Sequence, residues 1–230
     1  MLARTLPNQR AFSNARYFDY SCLEPLLEGL LSSPNAMVLE LGCGDSPMVK
    51  DMKDQDQTCL HAIDFSETIV AKLLRDQSSL PKEERISYCV QDARNMTCYE
   101  SNSFDLILEK GTVDAMLCDK RNGFINVKNI MREACRILKK DVLTSFVMVS
   151  HMEVDSADFS SFMKKSVLPA LNDCQSTARW LIEAHTQSAA SPESATVYKF
   201  VAHPRRITRA TANKGYVAAS IELTVFEHEE

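Results

Sequence analysis

The chain has 230 residues, 45% hydrophobic and 25% charged, enough for one α/β domain with a full core. A formal charge of -5 argues against a general nucleic-acid binder, whose signature is a basic excess, and no apolar run approaches the roughly 20 residues of a membrane-spanning helix. The eight cysteines are scattered, with neither C-x-x-C nor metal-ligand spacing, so they predict a reducing compartment and no metal site rather than a disulfide framework.

Residues 1–16 contain Arg4, Arg10 and Arg16 and no acid. Such a composition suits a transit peptide, but this segment has little apolar moment. It is expected to be a weakly ordered terminus of a cytoplasmic protein, with a mitochondrial leader as the alternative. The amphipathic run from Cys22 to Leu31 predicts a lead-in helix with Pro25 in its first turn. Residues 37–41 then form an apolar first strand, followed by Gly42-Cys43-Gly44 and by Ser46-Pro47, an N-cap and a first helical residue. That helix is expected to run to Lys53.

Strand two covers 59–63 and ends at Asp64. Ser66 caps the next helix, whose buried stripe is Ile69, Val70, Leu73 and Leu74. Strand three is Ile86 to Val90, leading to Asp92 and Ala93, and strand four is Phe104 to Leu108, leading to Glu109, Lys110 and Asp114. Val127, Ile130, Met131, Ala134 and Leu138 mark a long helix. Strand five covers 144–150, and a helix is expected over 155–171. Trp180 to His185 and Thr196 to Ala202 read as a hairpin, and Ile221 to Val225 as one further edge strand beyond the basic segment 205–214.

Alternating strands and helices predict an α/β fold: a doubly wound, mostly parallel seven-stranded sheet ending in an antiparallel hairpin. Residues 17–203 form this domain and 204–230 an extension. Ligands in such sheets sit beyond the strand carboxyl ends. Glu40, Gly42, Gly44, Asp64, Asp92 and Glu109 all fall there.

A glycine loop followed by an acid about twenty residues on suits a dinucleotide or S-adenosylmethionine. The dinucleotide fingerprint wants a third glycine where Pro47 stands. Glu40 beside the loop would repel a pyrophosphate but suits a sulfonium and an ammonium. Asp64 can accept ribose hydroxyls and Asp92 the adenine amino group, with the Ala93 amide donating to a ring nitrogen. The residues favour the methyl donor.

Val38-Leu39-Glu40-Leu41-Gly42-Cys43-Gly44-Asp45-Ser46 resembles motif I of class I S-adenosylmethionine-dependent methyltransferases. Glu109-Lys110-Gly111-Thr112-Val113-Asp114-Ala115 resembles the [D/E]-K-G-T-x-D-A signature of a subgroup that includes lysine methyltransferases of elongation factor 1A and citrate synthase. The resemblance covers about residues 17–203. It implies cofactor contacts at Glu40, Gly42, Gly44, Asp64, Phe65, Asp92, Ala93 and Lys110. From its place at the end of strand four, Glu109 would face the transferred methyl, the alternative being a structural ion pair with Lys110. The resemblance further implies a protein lysine as acceptor, while the acidic balance and the lack of a long apolar run predict no nucleic acid or membrane partner. A small-molecule methyltransferase and a non-catalytic protein of the same fold are the alternatives.

Two departures stand out. Relatives carry an aromatic-rich segment that closes over the methionine end, for which only Tyr17, Phe18 and Tyr20 are candidates here. They also place glycines in the turn where this chain has Lys139-Lys140-Asp141. His61, His151, His185, His203 and His228 form no cluster in the sequence and read as core or surface, with His151 nearest the acceptor side. Asp114 reads as a structural cap.

Overall fold

The computed structural model describes residues 20–27, 30–31, 35–45, 47–53, 59–173, 179–187, 195–203 and 221–228. The segment 1–16, Tyr17, Phe18, Ser46 and the basic segment 205–214 lie outside them. The elements run α1 (Tyr20–Leu27), β1 (Val38–Leu41), α2 (Met48–Lys53), β2 (Leu60–Asp64), α3 (Glu67–Asp76), β3 (Ser87–Val90), β4 (Leu106–Lys110), α4 (Thr112–Leu117) and α5 (Gly123–Ile137). They continue with β5 (Thr144–Ser150), α6 (Ala157–Phe162), a π-helical stretch (Met163–Val167), α7 (Leu168–Asp173), β6 (Arg179–Gln187), β7 (Thr196–His203) and β8 (Ile221–His228).

The described strands make one eight-stranded sheet in the order β3-β2-β1-β4-β5-β7-β6-β8. The pairs from β3 through β5 are parallel, whereas β7 runs antiparallel to both β5 and β6. The expected seven strands are therefore joined by β8, which lies parallel to β6 at the edge. The chain moves outward from β1 to β3, then returns to place β4 on the other side of β1. The order thus reverses between β1 and β4, and open sheets of this kind leave a ligand crevice at that point.

Period-2 alternation divides each central strand between two cores. Leu39, Leu41 and Ile107 face the side covered by α5 to α7, together with Val127, Ile130 and Phe162. Val38, Leu106 and Leu108 face the side covered by α1 to α3, with Leu23, Leu27, Met48 and Val49. In α5 the expected stripe of Val127, Ile130, Met131 and Ala134 is buried, each large apolar side chain contributing about 1.5–3 kcal/mol.

Local differences from expectation have physical causes. Leu74 is 46% exposed, so the buried stripe of α3 narrows to Val70 and Leu73, with Ile69 at its margin. Pro25 sits in the second turn of α1, because the helix already includes Tyr20. Strand four begins two residues later than expected. Ser103 and Phe104 donate to the Ile137 carbonyl, and Phe104 makes only a lone bridge to Leu138. Glu109 and Lys110 consequently lie inside β4 rather than beyond it. The helix expected over 155–171 is interrupted by the π stretch, which keeps Phe159 and Phe162 on the same core as Val167 and Leu171.

Candidate active site

Glycines 42, 44 and 111 have φ of +63°, +58° and +74°, conformations that L-residues with side chains rarely adopt. Gly42 and Gly44 turn the chain out of β1, while Gly111 turns it from β4 into α4. Since Leu41 pairs with Glu109, the two turns flank the switch point. Thr112 ties them together: its hydroxyl donates to the Leu41 carbonyl at 2.9 Å, and a Cβ on Gly42 would lie 2.2 Å from Thr112 Oγ1. Gly42 is therefore required by packing. A Cβ on Gly44 would meet nothing within 4 Å, so the loop leaves open space at that point.

Asp64, buried at the end of β2, accepts from the Gly44 amide at 3.0 Å and the Ser66 amide at 2.9 Å. It pins the glycine loop to the start of α3. Each carboxylate oxygen retains a second lone pair for a further donor. Ser66 caps α3 as expected, accepting from Ile69. The neighbouring Phe65 is 78% exposed, an aromatic face in solvent at a strand tip.

Asp92 is clasped by Arg94, whose Nε and Nη2 donate to both carboxylate oxygens at 2.7–3.0 Å. This contact holds the Asp92 carboxyl below the usual range. Ala93 beside it is buried. Nothing in the sequence reading assigned the clasp, although a spacing of two residues between opposite charges was the available signal.

Glu40 was expected to face a cationic ligand through its side chain. Instead both of its oxygens accept amides of α2, Met48 at 3.1 Å and Val49 at 3.0 Å, so the residue caps that helix from inside the sheet. It is 1% exposed, and burial pushes its pKa up to about 7, with the two amides and Lys110 opposing the shift.

Glu109 faces the opposite side of the sheet. Its Oε2 accepts from the Val113 amide at 3.0 Å, and its Oε1 is buried without a hydrogen-bond partner. Burial pushes its pKa up to about 8; the Val113 amide opposes this and Asp114 adds to it. Lys110, half-buried, ends β4. Asp114 was expected to cap the turn that follows it; two of its side-chain bonds instead reach across to the end of β5. Its Oδ1 accepts from Ser150 at 2.5 Å and its Oδ2 from the His151 amide at 3.0 Å, fixing the exit of β5. His151 itself is exposed.

His61 is half-buried edge-on to Tyr99 and Phe104, a core role consistent with its lowered pKa. Tyr20, one candidate for a lid, is buried among Leu23, Leu27 and Met48. Among the described residues, no group of three His, Cys, Asp or Glu could hold a metal ion, and no helix is long and apolar enough to cross a membrane.

The strand order reverses between β1 and β4, the point at which open α/β sheets hold small ligands, and positive-φ glycines and strand-end acids flank it. The methyltransferase domain family matches residues 32–214, and the chain belongs to that family. It is similar to the eEF1A lysine and N-terminal methyltransferase of Danio rerio, with 35% identity over 122 residues, covering 53% of this chain and 17% of that protein. It is also similar to EEF1A lysine methyltransferase 4 of Bos taurus, with 30% identity over 127 residues, covering 52% of this chain and 48% of the relative. The chain thus spans less than half the length of these relatives. Its fold matches a SAM-dependent methyltransferase of Methanosarcina mazei at a TM-score of 0.54 and 13% identity, over 78% of this chain and 97% of that one.

Proposed function

We propose that this protein is an S-adenosylmethionine-dependent methyltransferase acting on lysine side chains of a protein in the cytoplasm. The reading is supported by the open space beside Gly44, the exposed Phe65 ring, the Asp64 and Asp92 carboxylates and the unsatisfied Glu109 Oε1, which lie at or just past the carboxyl ends of the neighbouring strands β1, β2, β3 and β4. The donor set fits the cofactor: carboxylates for hydroxyls and an amine, an aromatic face for a base, and buried acids near a cation. When bound, S-adenosylmethionine supplies a methyl group on a sulfonium sulfur that leaves as a neutral thioether.

In this reading Asp64 accepts the ribose hydroxyls with its remaining lone pairs. Phe65 stacks on the base, Asp92 and the Ala93 amide read its edge, and Gly42, Gly44 and Lys110 line the methionine end. Glu40 acts through its field, because its oxygens already serve α2. The pKa of Glu109, about 8 without a ligand, makes it largely protonated near neutrality. An ammonium brought against Oε1 favours the ionised carboxylate. Glu109 gives its own proton to solvent, and the ammonium gives up one proton to solvent before attack; the carboxylate then accepts a hydrogen bond from the neutral amine and holds it in line, so alignment supplies the catalysis. The free thiols of Cys43, Cys89, Cys98 and Cys118 suit a reducing compartment.

Incubation of the protein with methyl-labelled S-adenosylmethionine and cell lysate tests the reading. Label is expected in a protein band, as methyl-lysine by mass spectrometry, and greatly reduced with Glu109→Gln. Label confined to extractable metabolites would favour the small-molecule reading. No label together with no S-adenosylhomocysteine binding would favour a non-catalytic protein.

A further inference from the structure

The two strand-end carboxylates of the proposed cofactor site are held in different ways. Asp64 accepts from two backbone amides on separate elements, Gly44 and Ser66, so the fold itself sets its direction. Asp92 has no such frame. Among the described residues, every hydrogen bond its side chain accepts comes from Arg94: the amide to Oδ1 at 2.9 Å, Nε to both oxygens at 3.0 Å, and Nη2 to Oδ2 at 2.7 Å. We infer that Arg94 is a positioning residue for the cofactor, turning Asp92 so that it reads a 6-amino purine and rejects a 6-oxo one. The inference rests on the methyltransferase reading above.

The guanidinium is itself anchored. Its Nη1 donates to Asn126 Oδ1 at 3.1 Å, and Asn126 lies in the first turn of α5. Arg94 therefore bridges the loop after β3 to a helix whose inner face is core. A planar fork held at both ends orients a carboxylate better than an ammonium, which is a point charge on a flexible stem. The loop backbone is braced separately. The Gln91 amide donates to the Asp64 carbonyl and the Asn95 amide to the Asp92 carbonyl, each at 3.0 Å. These bonds leave the Asp92 side chain free to turn about its own torsions, and the guanidinium removes that freedom.

A count of lone pairs sets what the carboxylate can still do. Two carboxylate oxygens offer about four acceptor sites. The Arg94 amide and Nε fill Oδ1, while Nη2 takes one site on Oδ2, to which Nε is only shared. One acceptor remains on Oδ2, which matches one hydrogen of an exocyclic amine. An ionised carboxylate has no proton to give, so an exocyclic carbonyl in the same place meets repulsion. Arg94 keeps Asp92 in this acceptor-only form by holding its carboxyl below the usual range. Both side chains are 41% exposed, so the pair adds little to folding and its use lies in orientation.

Calorimetry of the full chain with S-adenosylhomocysteine and its 6-oxo analogue, S-inosylhomocysteine, tests this in Arg94→Met and Arg94→Lys. Arg94→Met should bind S-adenosylhomocysteine about tenfold more weakly and lose about tenfold of the preference for it over the 6-oxo analogue. Arg94→Lys should recover part of both, and thermal midpoints should move by no more than about 2–4 °C. Unchanged or tighter S-adenosylhomocysteine binding by Arg94→Met would overturn the inference. So would weaker binding with the preference intact, or a loss that follows a large fall in thermal midpoint and is not relieved by lysine. Failure of the natural chain to bind S-adenosylhomocysteine would overturn the cofactor reading and this inference together, whereas binding indifferent to Arg94 removes only the inference.

Discussion

Substituting Gly42 by Ala tests the geometry of the crevice at its tightest point. The added Cβ would lie 2.2 Å from Thr112 Oγ1 and 3.0 Å from its Cγ2, so Thr112 must swing away and lose its bond to the Leu41 carbonyl. A positive φ costs a residue with a side chain about 1–2 kcal/mol, and the lost hydrogen bond about 1 kcal/mol more. With residual overlap the total is about 3–4 kcal/mol, a large share of a typical stability of about 5–15 kcal/mol. Gly44→Ala has a similar φ but no steric contact, and should cost only about 1–2 kcal/mol. Urea unfolding followed by circular dichroism measures both. Combining Gly42→Ala with Thr112→Ala removes the overlapping atoms, leaving Thr112 Cβ at 3.1 Å as the close neighbour. The double variant should therefore cost about 1–2 kcal/mol less than the two single costs added. If Gly42→Ala proves no costlier than Gly44→Ala, the packing of Thr112 over β1 is wrong. Gly44→Ala should instead weaken S-adenosylhomocysteine binding, because its methyl enters space that the chain leaves open.

Three other outcomes follow from the site. Glu109 has an ordinary pKa of 4.5 and is pushed up to about 8, so between those values the folded protein holds a proton the unfolded chain has lost. Stability therefore falls as pH rises through that window, by about 1.4 kcal/mol per pH unit for one such group. Glu40, pushed up to about 7, acts in the same direction, and Glu109→Gln should flatten the decline in urea midpoints measured between these limits. Asp64→Asn retains one acceptor oxygen of two, so it should cost about 1–2 kcal/mol by thermal unfolding while binding S-adenosylhomocysteine at least about tenfold more weakly by calorimetry. Asp114→Ala leaves Ser150 and the His151 amide without their carboxylate, and about 2 kcal/mol of lost stability should lower Tm by about 4–8 °C.

Much of this architecture was legible because apolar runs and turn residues fall in alternation along the chain. The boundaries of β5, at Thr144 and Ser150, follow directly from a run buried at every position. The start of β4 was not legible, because Phe104 is as apolar as a strand residue and only the Ile137 carbonyl takes its amide out of the ladder. Gly42, Gly44, Asp64 and Asp92 could be placed at strand tips from spacing alone. Their partners could not. Glu40 reads as an acid beside a ligand, yet its oxygens lie on α2 amides eight and nine residues away. Thr112 reaches across 71 residues to the Leu41 carbonyl, a long-range contact that no local pattern encodes. Glu109 reads as the end of a strand. Only three-dimensional burial reveals its unsatisfied oxygen and raised pKa.

The most direct measurement is a calorimetric titration of the full chain with S-adenosylhomocysteine, run in parallel on Phe65→Ala. Phe65 is 78% exposed, so its removal should leave stability unchanged. Loss of base stacking should weaken binding by about tenfold or more, from about 1–3 kcal/mol of contact. One-to-one binding by the natural chain and clear weakening in the variant is the predicted result. No heat from the natural chain at millimolar ligand, or identical affinity in both proteins, would contradict a cofactor lying across these strand tips.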